Sequence, residues 1–274
     1  MLILLNPSAC EGNAIKKWEK IKDDLFLKYG KADIITVNGT ATKNEIKKYI
    51  ERGETDFIAA GGDGTINHLL NDIVRLTNGN LKDIRIGAIG LGSSNDFHKP
   101  YNRDRLVGQV YCRMDFNNTI KHDLCKVIYE DENHNTYSKY FVLNSSIGIT
   151  AKANFLFNRP DRILSYLKRK NTNIAILYAA IKTILTFKNI KVYVNSKEYS
   201  REIKLTNMGI VKNPNFSGSF CYDTEYNSGN GTFWIHICEN MSRAEHGDVV
   251  LVARSAERYG DAIAAMPMPI HQFL

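Results

Sequence analysis

The sequence predicts an α/β fold in which a parallel-sheet domain is followed by a β-rich, sandwich-like domain. Strand-like and helix-like segments alternate over the first ~115 residues, as a parallel sheet with crossover helices requires. Two glycine-rich turns follow strands in that half, and β-type runs prevail after residue 120. We therefore expect an α/β domain over 1–118, a β-rich domain over 119–240, and a tail over 241–274 that packs back on the first domain.

The elements of the first domain alternate in chain order. Strands are predicted where short apolar runs end at turn residues, and helices where apolar residues recur every three or four positions. Thr42 and Glu45 predict a capping box at the start of one helix. The predicted order is strand Leu2–Leu5, helix Asn13–Lys28, strand Ala32–Val37, helix Lys43–Arg52, strand Asp56–Ala60, helical spacing from Ile66 to Leu76, and strand Arg85–Ile89.

The second domain is predicted from β-type runs with one interruption. A basic, partly helical segment, Asn158–Phe187, separates two groups of strands. The predicted strands are Asp123–Tyr129, Lys139–Asn144, Ile190–Val194, Glu202–Leu205, Met208–Val211 and Thr232–Ile237.

The composition is that of a folded chain with a basic surplus. Its 274 residues include 36 lysines and arginines and 29 aspartates and glutamates, which gives a net charge of +7. Because 43% of the residues are hydrophobic and the net charge is moderate, the composition excludes a disordered or fibrous chain. The longest apolar run, Ile174–Phe187, contains Lys182 and is shorter than the ~20 residues that span a bilayer. The opening apolar run is too short for a signal peptide, and the five cysteines form no C-x-x-C pair. We expect a cytoplasmic protein, soluble or peripheral to a membrane.

Basic residues are concentrated in residues 151–200, which carry ten lysines and arginines against two acidic residues. Such a field attracts polyanions, or it is simply a solvated helix face. We predict an anionic membrane as the partner of this stretch. Nucleic acid is not predicted, because the sequence contains no aromatic RNA-binding strand and no C2H2 spacing. Five side chains of this stretch are expected in the core, with lipid contact as the alternative: Tyr166, Leu167, Ile174, Leu177 and Tyr178.

Candidate chemistry gathers in two turns that follow strands. Glycines at such turns let backbone N–H groups approach phosphate oxygens, and a carboxylate among them indicates Mg²⁺ between itself and the phosphates. The first turn contains Gly61, Gly62, Asp63, Gly64, Thr65 and Asn67. The second contains Gly90, Gly92, Ser93, Asn95 and Asp96. Together the turns predict a nucleotide-phosphate site.

Three motifs carry a family resemblance. Asn6-Pro7 follows the first strand, Gly61–Asn67 forms the first turn, and Gly92–Phe97 forms the second. In order and spacing they resemble the motifs of the diacylglycerol kinase catalytic-domain family, which includes bacterial diacylglycerol kinases, sphingosine kinases and ceramide kinases. The first glycine-rich turn is also similar to loops of NAD kinases and phosphofructokinases, whereas Asn95-Asp96-Phe97 favours the lipid kinases.

The resemblance implies an ATP-dependent lipid kinase that phosphorylates a hydroxyl of a diacylglycerol-like or sphingoid lipid, in a cleft between two domains. It also implies that Asp63 and Asp96 are catalytic and organise Mg²⁺, with Asp63 as the candidate base. The nucleotide would be held by Asn6, Thr40, Gly61, Gly62, Asp63, Gly64, Thr65, Asn67, Gly92, Ser93 and Asn95, with Thr42 as the alternative to Thr40. The implied cofactors are ATP and Mg²⁺. The implied partner is the lipid substrate. The basic stretch 151–200 adds the anionic inner face of a membrane, and a homodimer stays open.

The second half of the chain departs from the family pattern. Asn230-Gly231 stands where some bacterial members have an Asp-Gly associated with a structural metal. No Asp-Gly-Glu, which supplies a catalytic carboxylate in bacterial lipid kinases, follows Asn240. Two alternatives to the active lipid kinase therefore stay open: a catalytically weakened homologue that binds nucleotide or lipid, and, more distantly, an NAD kinase.

Overall fold

A computed structural model describes residues 1–101, 105–196, 200–218, 220–242 and 264–269, the last range by its backbone alone. The side chains of Thr40, Thr172 and Asn173 are likewise outside the description. The chain divides into two compact units, one ending at Val142 and the other beginning at Leu143. Among the described residues, we find no helix with the length and hydropathy of a membrane-spanning segment.

Strands and helices alternate through most of the first unit. Its elements are β1 (Leu2–Leu5), α1 (Asn13–Tyr29), β2 (Asp33–Thr36), α2 (Gly39–Glu51), β3 (Asp56–Gly61), α3 (Asp63–Leu76), β4 (Arg85–Gly90), a 3₁₀ turn (Asp96–His98), β5 (Leu106–Val107), β6 (Val110–Arg113), β7 (Cys125–Glu130) and β8 (Thr136–Phe141).

A six-stranded sheet organises this unit. Strands β2, β1, β3 and β4 lie side by side in parallel, and β6 and β5 extend the sheet antiparallel beyond β4. Both β1 and β3 are almost entirely buried and apolar, as strands covered on both faces are. Helix α1 packs on one face through Trp18 and Leu25, and α3 packs on the other through Leu69 and Ile73. The carboxyl ends of β1, β3 and β4 therefore meet at one edge.

The start of α2 corrects a prediction. This helix begins at Gly39 rather than Lys43, and Thr42 lies inside it. The Thr42 hydroxyl accepts a hydrogen bond from the backbone N–H of Asn38 at 2.7 Å, which closes the first turn ahead of the predicted capping box. Strands β5 and β6, of two and four residues, are too short to give a recognisable alternation and were not predicted.

A central strand organises the second unit. Its elements are β9 (Asn144–Gly148), α4 (Ile149–Asn158), α5 (Arg162–Lys170), α6 (Thr172–Thr186), β10 (Ile190–Asn195), β11 (Ser200–Val211), β12 (Asn215–Phe216), β13 (Phe220–Cys221), β14 (Thr232–Glu239) and β15 (Ala264–Pro269). β10 and β9 pair antiparallel with successive parts of β11, whose other edge pairs with β14. The basic segment predicted as partly helical, Asn158–Phe187, forms α5 and α6, and a further helix, α4, precedes it from Ile149.

The division after Val142 differs from the boundary predicted at residue 118. The β7–β8 hairpin groups with the first unit because Asn71 of α3 binds both backbone groups of Tyr140, donating to its oxygen at 2.8 Å and accepting from its N–H at 2.9 Å. The predicted tail, 241–274, lies largely outside the described residues. Its described strand β15 pairs with β14 in the second unit rather than packing on the first domain as predicted.

Candidate active site

The first glycine-rich turn joins β3 to α3. The backbone oxygen of Gly62 accepts the N–H of Thr65 at 2.8 Å, and α3 begins at Asp63. A side chain at Gly61 is excluded, because its Cβ would lie 2.2 Å from the Thr65 hydroxyl oxygen. That hydroxyl accepts a hydrogen bond from the amide of Asn6 at 3.0 Å. The turn is therefore tied to Asn6, the residue that directly follows β1.

The second turn, after β4, lies directly against the first. Gly61 accepts the backbone N–H groups of Leu91 and Gly92 at 2.9 and 3.0 Å. A Cβ at Gly92 would lie only 2.4 Å from the Cα of Gly62, so the two backbones touch where each has a glycine. Asn95, in a left-handed conformation with φ 50°, braces the turn by bonding backbone groups of Gly90 and Gly92 through its side chain. The two predicted turns thus form one continuous loop surface.

Asp63 bridges the two turns through its carboxylate. One oxygen accepts the backbone N–H of Asp96 at 3.0 Å, and the other accepts that of Phe97 at 2.9 Å. Burial raises the pKa of the Asp63 carboxyl and the charge of Asp96 adds to the rise, whereas the two N–H donors oppose it. The side chain therefore sets the position of the second turn in addition to being a candidate for chemistry.

Asp96 lies beside Asp63 and is only 5% exposed. Its carboxylate forms an ion pair with Lys99, three residues further along. This pairing brings a cation next to the two carboxylates. Lys99 was not singled out in the sequence, although its spacing from Asp96 around the short 3₁₀ turn was a usable signal.

The remaining predicted nucleotide residues differ in exposure. Gly64, Asn67 and Ser93 are exposed, and a Cβ at Gly64 would meet no atom within 4 Å, so the surface of the first turn is open at this point. Thr65 is buried beneath Gly61. The Thr40 side chain lies outside the described residues, while its alternative, Thr42, is buried and bonded to Asn38.

Lys17 is a further residue of the site that sequence reasoning missed. From the second turn of α1, its ammonium donates to the backbone oxygens of Gly92 at 3.1 Å and Leu91 at 3.4 Å. The only available signal was a lysine shortly after the first motif, which is too common to interpret. Lys17 places a positive charge against the loop surface formed by the two turns.

The residues of this edge fit a nucleotide with Mg²⁺. An ionised carboxylate offers about four lone-pair sites, so Asp63, which accepts one backbone N–H at each oxygen, retains acceptor capacity. Mg²⁺ is commonly held by one or two carboxylates together with phosphate oxygens and water. The open backbone at Gly64, at the start of α3, is the kind of surface to which phosphates bind.

Comparison with known proteins agrees with this geometry. Residues 1–127 match the family model "Diacylglycerol kinase catalytic domain". A "Putative lipid kinase" of Staphylococcus carnosus is 27% identical over 232 residues, which cover 79% of this chain and 66% of that protein. A mitochondrial acylglycerol kinase of Xenopus laevis is 36% identical over 113 residues, covering 39% of this chain and 26% of that protein. The chain therefore matches less than two thirds of the length of either relative.

The fold is similar to that of a solved structure. A crystal structure of a "putative diacylglycerol kinase" from Bacillus anthracis superposes with a TM-score of 0.68 at 15% identity, covering 97% of this chain and 83% of that one. The predicted α/β fold with a β-rich second part is thus confirmed. So is the resemblance that the three motifs carry: over residues 1–127 the chain matches the diacylglycerol kinase catalytic domain family.

Proposed function

We propose that this chain is an ATP-dependent lipid kinase that transfers the γ-phosphate to a hydroxyl of a diacylglycerol-like or sphingoid lipid. The observation that carries the proposal is the contact between the two turns, in which Asp63 holds the N–H groups of Asp96 and Phe97 while Gly62 and Gly92 touch. The family match and the relatives named as lipid kinases support the choice of a lipid acceptor.

Each group at this edge has a role in the proposed reaction. The open backbone at Gly64 and the exposed side chains of Asn67 and Ser93 bind the phosphates of ATP. Asp63 and Asp96 would hold Mg²⁺, which supplies charge neutralisation when bound. Asp63 accepts the proton of the lipid hydroxyl as its oxygen bonds to the γ-phosphorus, and the bond to the β-phosphate oxygen breaks to release ADP.

We propose that the reaction takes place at the cytoplasmic face of a membrane, to which the chain binds peripherally. A diacylglycerol-like or sphingoid acceptor resides in a bilayer, so the enzyme must reach the bilayer surface. An anionic membrane suits the ten basic residues within 151–200.

The test is transfer of γ-labelled phosphate from ATP to a panel of acceptors: diacylglycerol, monoacylglycerol, sphingosine and NAD. We expect the label in one or more of the lipids, only with Mg²⁺ present, and none in NAD. Labelled NAD would instead support an NAD kinase and contradict the proposal.

A catalytically weakened homologue is a second candidate, and one observation favours it. Both carboxylates are already engaged, Asp63 by two backbone N–H groups and Asp96 by Lys99, as expected of groups that hold loops together. Retained ATP binding without labelling of any acceptor would support this candidate over the kinase.

A further inference from the structure

Helix α6 exposes four of its six large aliphatic side chains. A surface helix ordinarily buries its large apolar residues and exposes polar ones. The most buried side chains of α6 are small: Ala175, Ala179 and Thr183, each 3% exposed or less. Four large aliphatic side chains, which we call the α6 stripe, are between 49% and 63% exposed, while Ile176 and Ile184 are half-buried; the stripe consists of Ile174, Leu177, Ile181 and Leu185.

The spacing of the α6 stripe makes it continuous. Its members follow one another at intervals of three, four and four residues, which places them along one side of the helix. Two of them, Ile174 and Leu177, were expected in the core together with Tyr166, and the structure exposes all three. Leu167 and Tyr178 do pack against the small cluster around Leu164.

The one charged residue of α6 is neutralised inside the helical segment. Lys182 forms an ion pair with Asp161 at 2.6 Å, and the Tyr178 hydroxyl donates to the same carboxylate at 3.3 Å. Asp161 also caps α5 by accepting the backbone N–H of Leu164 at 2.7 Å. Residues 149–187 contain seven lysines and arginines and one acidic residue, Asp161, so the segment has a net charge of +6.

Helix α5, which packs beside α6, has the composition of a helix at a membrane interface. Tyr166 is exposed, and so are the cations one turn to either side of it, Arg162 and Lys170, together with Arg169. Tyrosine is enriched where a bilayer meets water, and basic side chains bind anionic headgroups. An apolar stripe and a basic helix therefore belong to one three-helix cluster.

We propose that the α6 stripe inserts into the surface of an anionic lipid bilayer, while Arg162, Arg169 and Lys170 of α5 bind its headgroups. At 15 residues α6 is about 22 Å long, which suits a helix lying along the interface. Charge complementarity selects lipid over a second copy of the chain, because two copies meeting through this cluster would oppose like charges. The inference rests on the proposed function for its purpose, access to a membrane-resident acceptor.

The test is vesicle flotation of the full chain without ATP or acceptor, so its outcome is independent of kinase activity. Vesicles of phosphatidylcholine alone are compared with vesicles that also contain phosphatidylglycerol. We expect binding only with phosphatidylglycerol. Leu177→Ser/Ile181→Ser should weaken that binding about tenfold or more at every salt concentration, because removing apolar side chains is not screened. Arg169→Ser/Lys170→Ser should weaken it about tenfold at low salt and less at high salt.

Matched controls separate this surface from general effects. Leu27→Ser/Ile34→Ser removes one exposed leucine and one exposed isoleucine from the first unit, and Lys31→Ser/Arg75→Ser removes two exposed cations there. Both should bind vesicles like the wild type. The proposal is overturned if the wild type does not bind, or if the controls lose as much binding as the α6 and α5 variants. It is also overturned if the wild type is a dimer that Leu177→Ser/Ile181→Ser dissociates without changing vesicle binding.

Discussion

Asp63 combines two tasks that its sequence motif does not separate. Its carboxylate fixes the second turn through the N–H groups of Asp96 and Phe97, and in the proposed reaction it also accepts a proton. An aspartate placed only for structure would gain from a lowered pKa, because backbone donors stabilise the charged form. Burial next to Asp96 outweighs those donors, so holding the charge here costs stability, as is typical of functional sites.

The raised pKa predicts a pH-dependent stability difference between wild type and Asp63→Asn. The folded protein holds the Asp63 proton more tightly than the unfolded chain, so the carboxyl penalises folding once it ionises. The unfolding free energy of the wild type, minus that of the variant, should fall as pH rises from the ordinary value of 3.8 through the raised pKa, and then stay level. Urea denaturation across this range measures it. A difference that rises with pH would contradict the assignment.

Lys17 is predicted to support ATP binding by holding the second turn. Replacing Lys17 with methionine keeps the aliphatic stem but removes the donor to Leu91 and Gly92. We expect the Kd for ATP to rise about fivefold, because a charge-assisted hydrogen bond at a part-exposed site contributes about 1 kcal/mol. Isothermal titration calorimetry measures this. Lys16→Met, at an exposed neighbouring position, is the control, and equal effects of the two variants would refute a specific role for Lys17.

We predict that the contact between the two glycine-rich turns stabilises the folded protein even when no nucleotide is bound. A Cβ at Gly92 would meet the backbone of Gly62 at 2.4 Å, whereas one at Gly64 would meet nothing within 4 Å. Gly92→Ala should therefore lower the Tm of the nucleotide-free protein by several degrees, since overpacking costs about 1–3 kcal/mol. Gly64→Ala should not lower it, because alanine is the better helix former. Calorimetry on both variants checks this, and equal Tm values would argue against the contact.

The same two variants distinguish assembly of the turns from phosphate binding. Although Gly64→Ala should fold normally, its methyl group stands where phosphate would approach the start of α3, so we expect weaker ATP binding. Unchanged ATP affinity in Gly64→Ala would remove Gly64 from the site while leaving the turns intact.

The elements of the first unit were predictable because each has a strong pattern. β1 and β3 are short buried runs, and α1 and α3 have regular apolar faces. β11 was split in two by the polar pair Thr206 and Asn207. In the structure the strand continues through them with an irregularity in register, and the Asn207 amide oxygen accepts hydrogen bonds from Thr150. Polar residues in a strand predict a loop when the partner of their hydrogen bonds is distant in the sequence.

The sequence predicted which residues form the site, but it did not predict the hydrogen bonds between them. Parallel strands bring their carboxyl ends to one edge, so Asn6, Gly61 and Gly92 were expected near one another. The contacts between Asp63 and the backbone of the second turn depend on coordinates that no spacing supplies. Lys17 is separated from Leu91 by 74 residues, and nothing in the sequence links them.

The two compact units carry different parts of the proposed activity. The first unit holds the nucleotide edge with both carboxylates, and the second holds the helical cluster with the basic surplus and the α6 stripe. Their separate tests, ATP binding and vesicle flotation, therefore fail or succeed independently. A chain that binds both ATP and bilayer but transfers no phosphate would be the weakened homologue.

Phosphoryl transfer itself is the most direct measurement. Wild type and Asp63→Asn are incubated with γ-labelled ATP, Mg²⁺ and the lipid acceptor in mixed micelles, and the label in the organic extract is followed over time. We predict steady labelling of lipid by the wild type and labelling slower by about a hundredfold or more in the variant, since removing one group that stabilises transition-state charge costs about 3 kcal/mol. Equal rates for the two proteins, or label in NAD rather than lipid, would contradict a lipid kinase that works through Asp63.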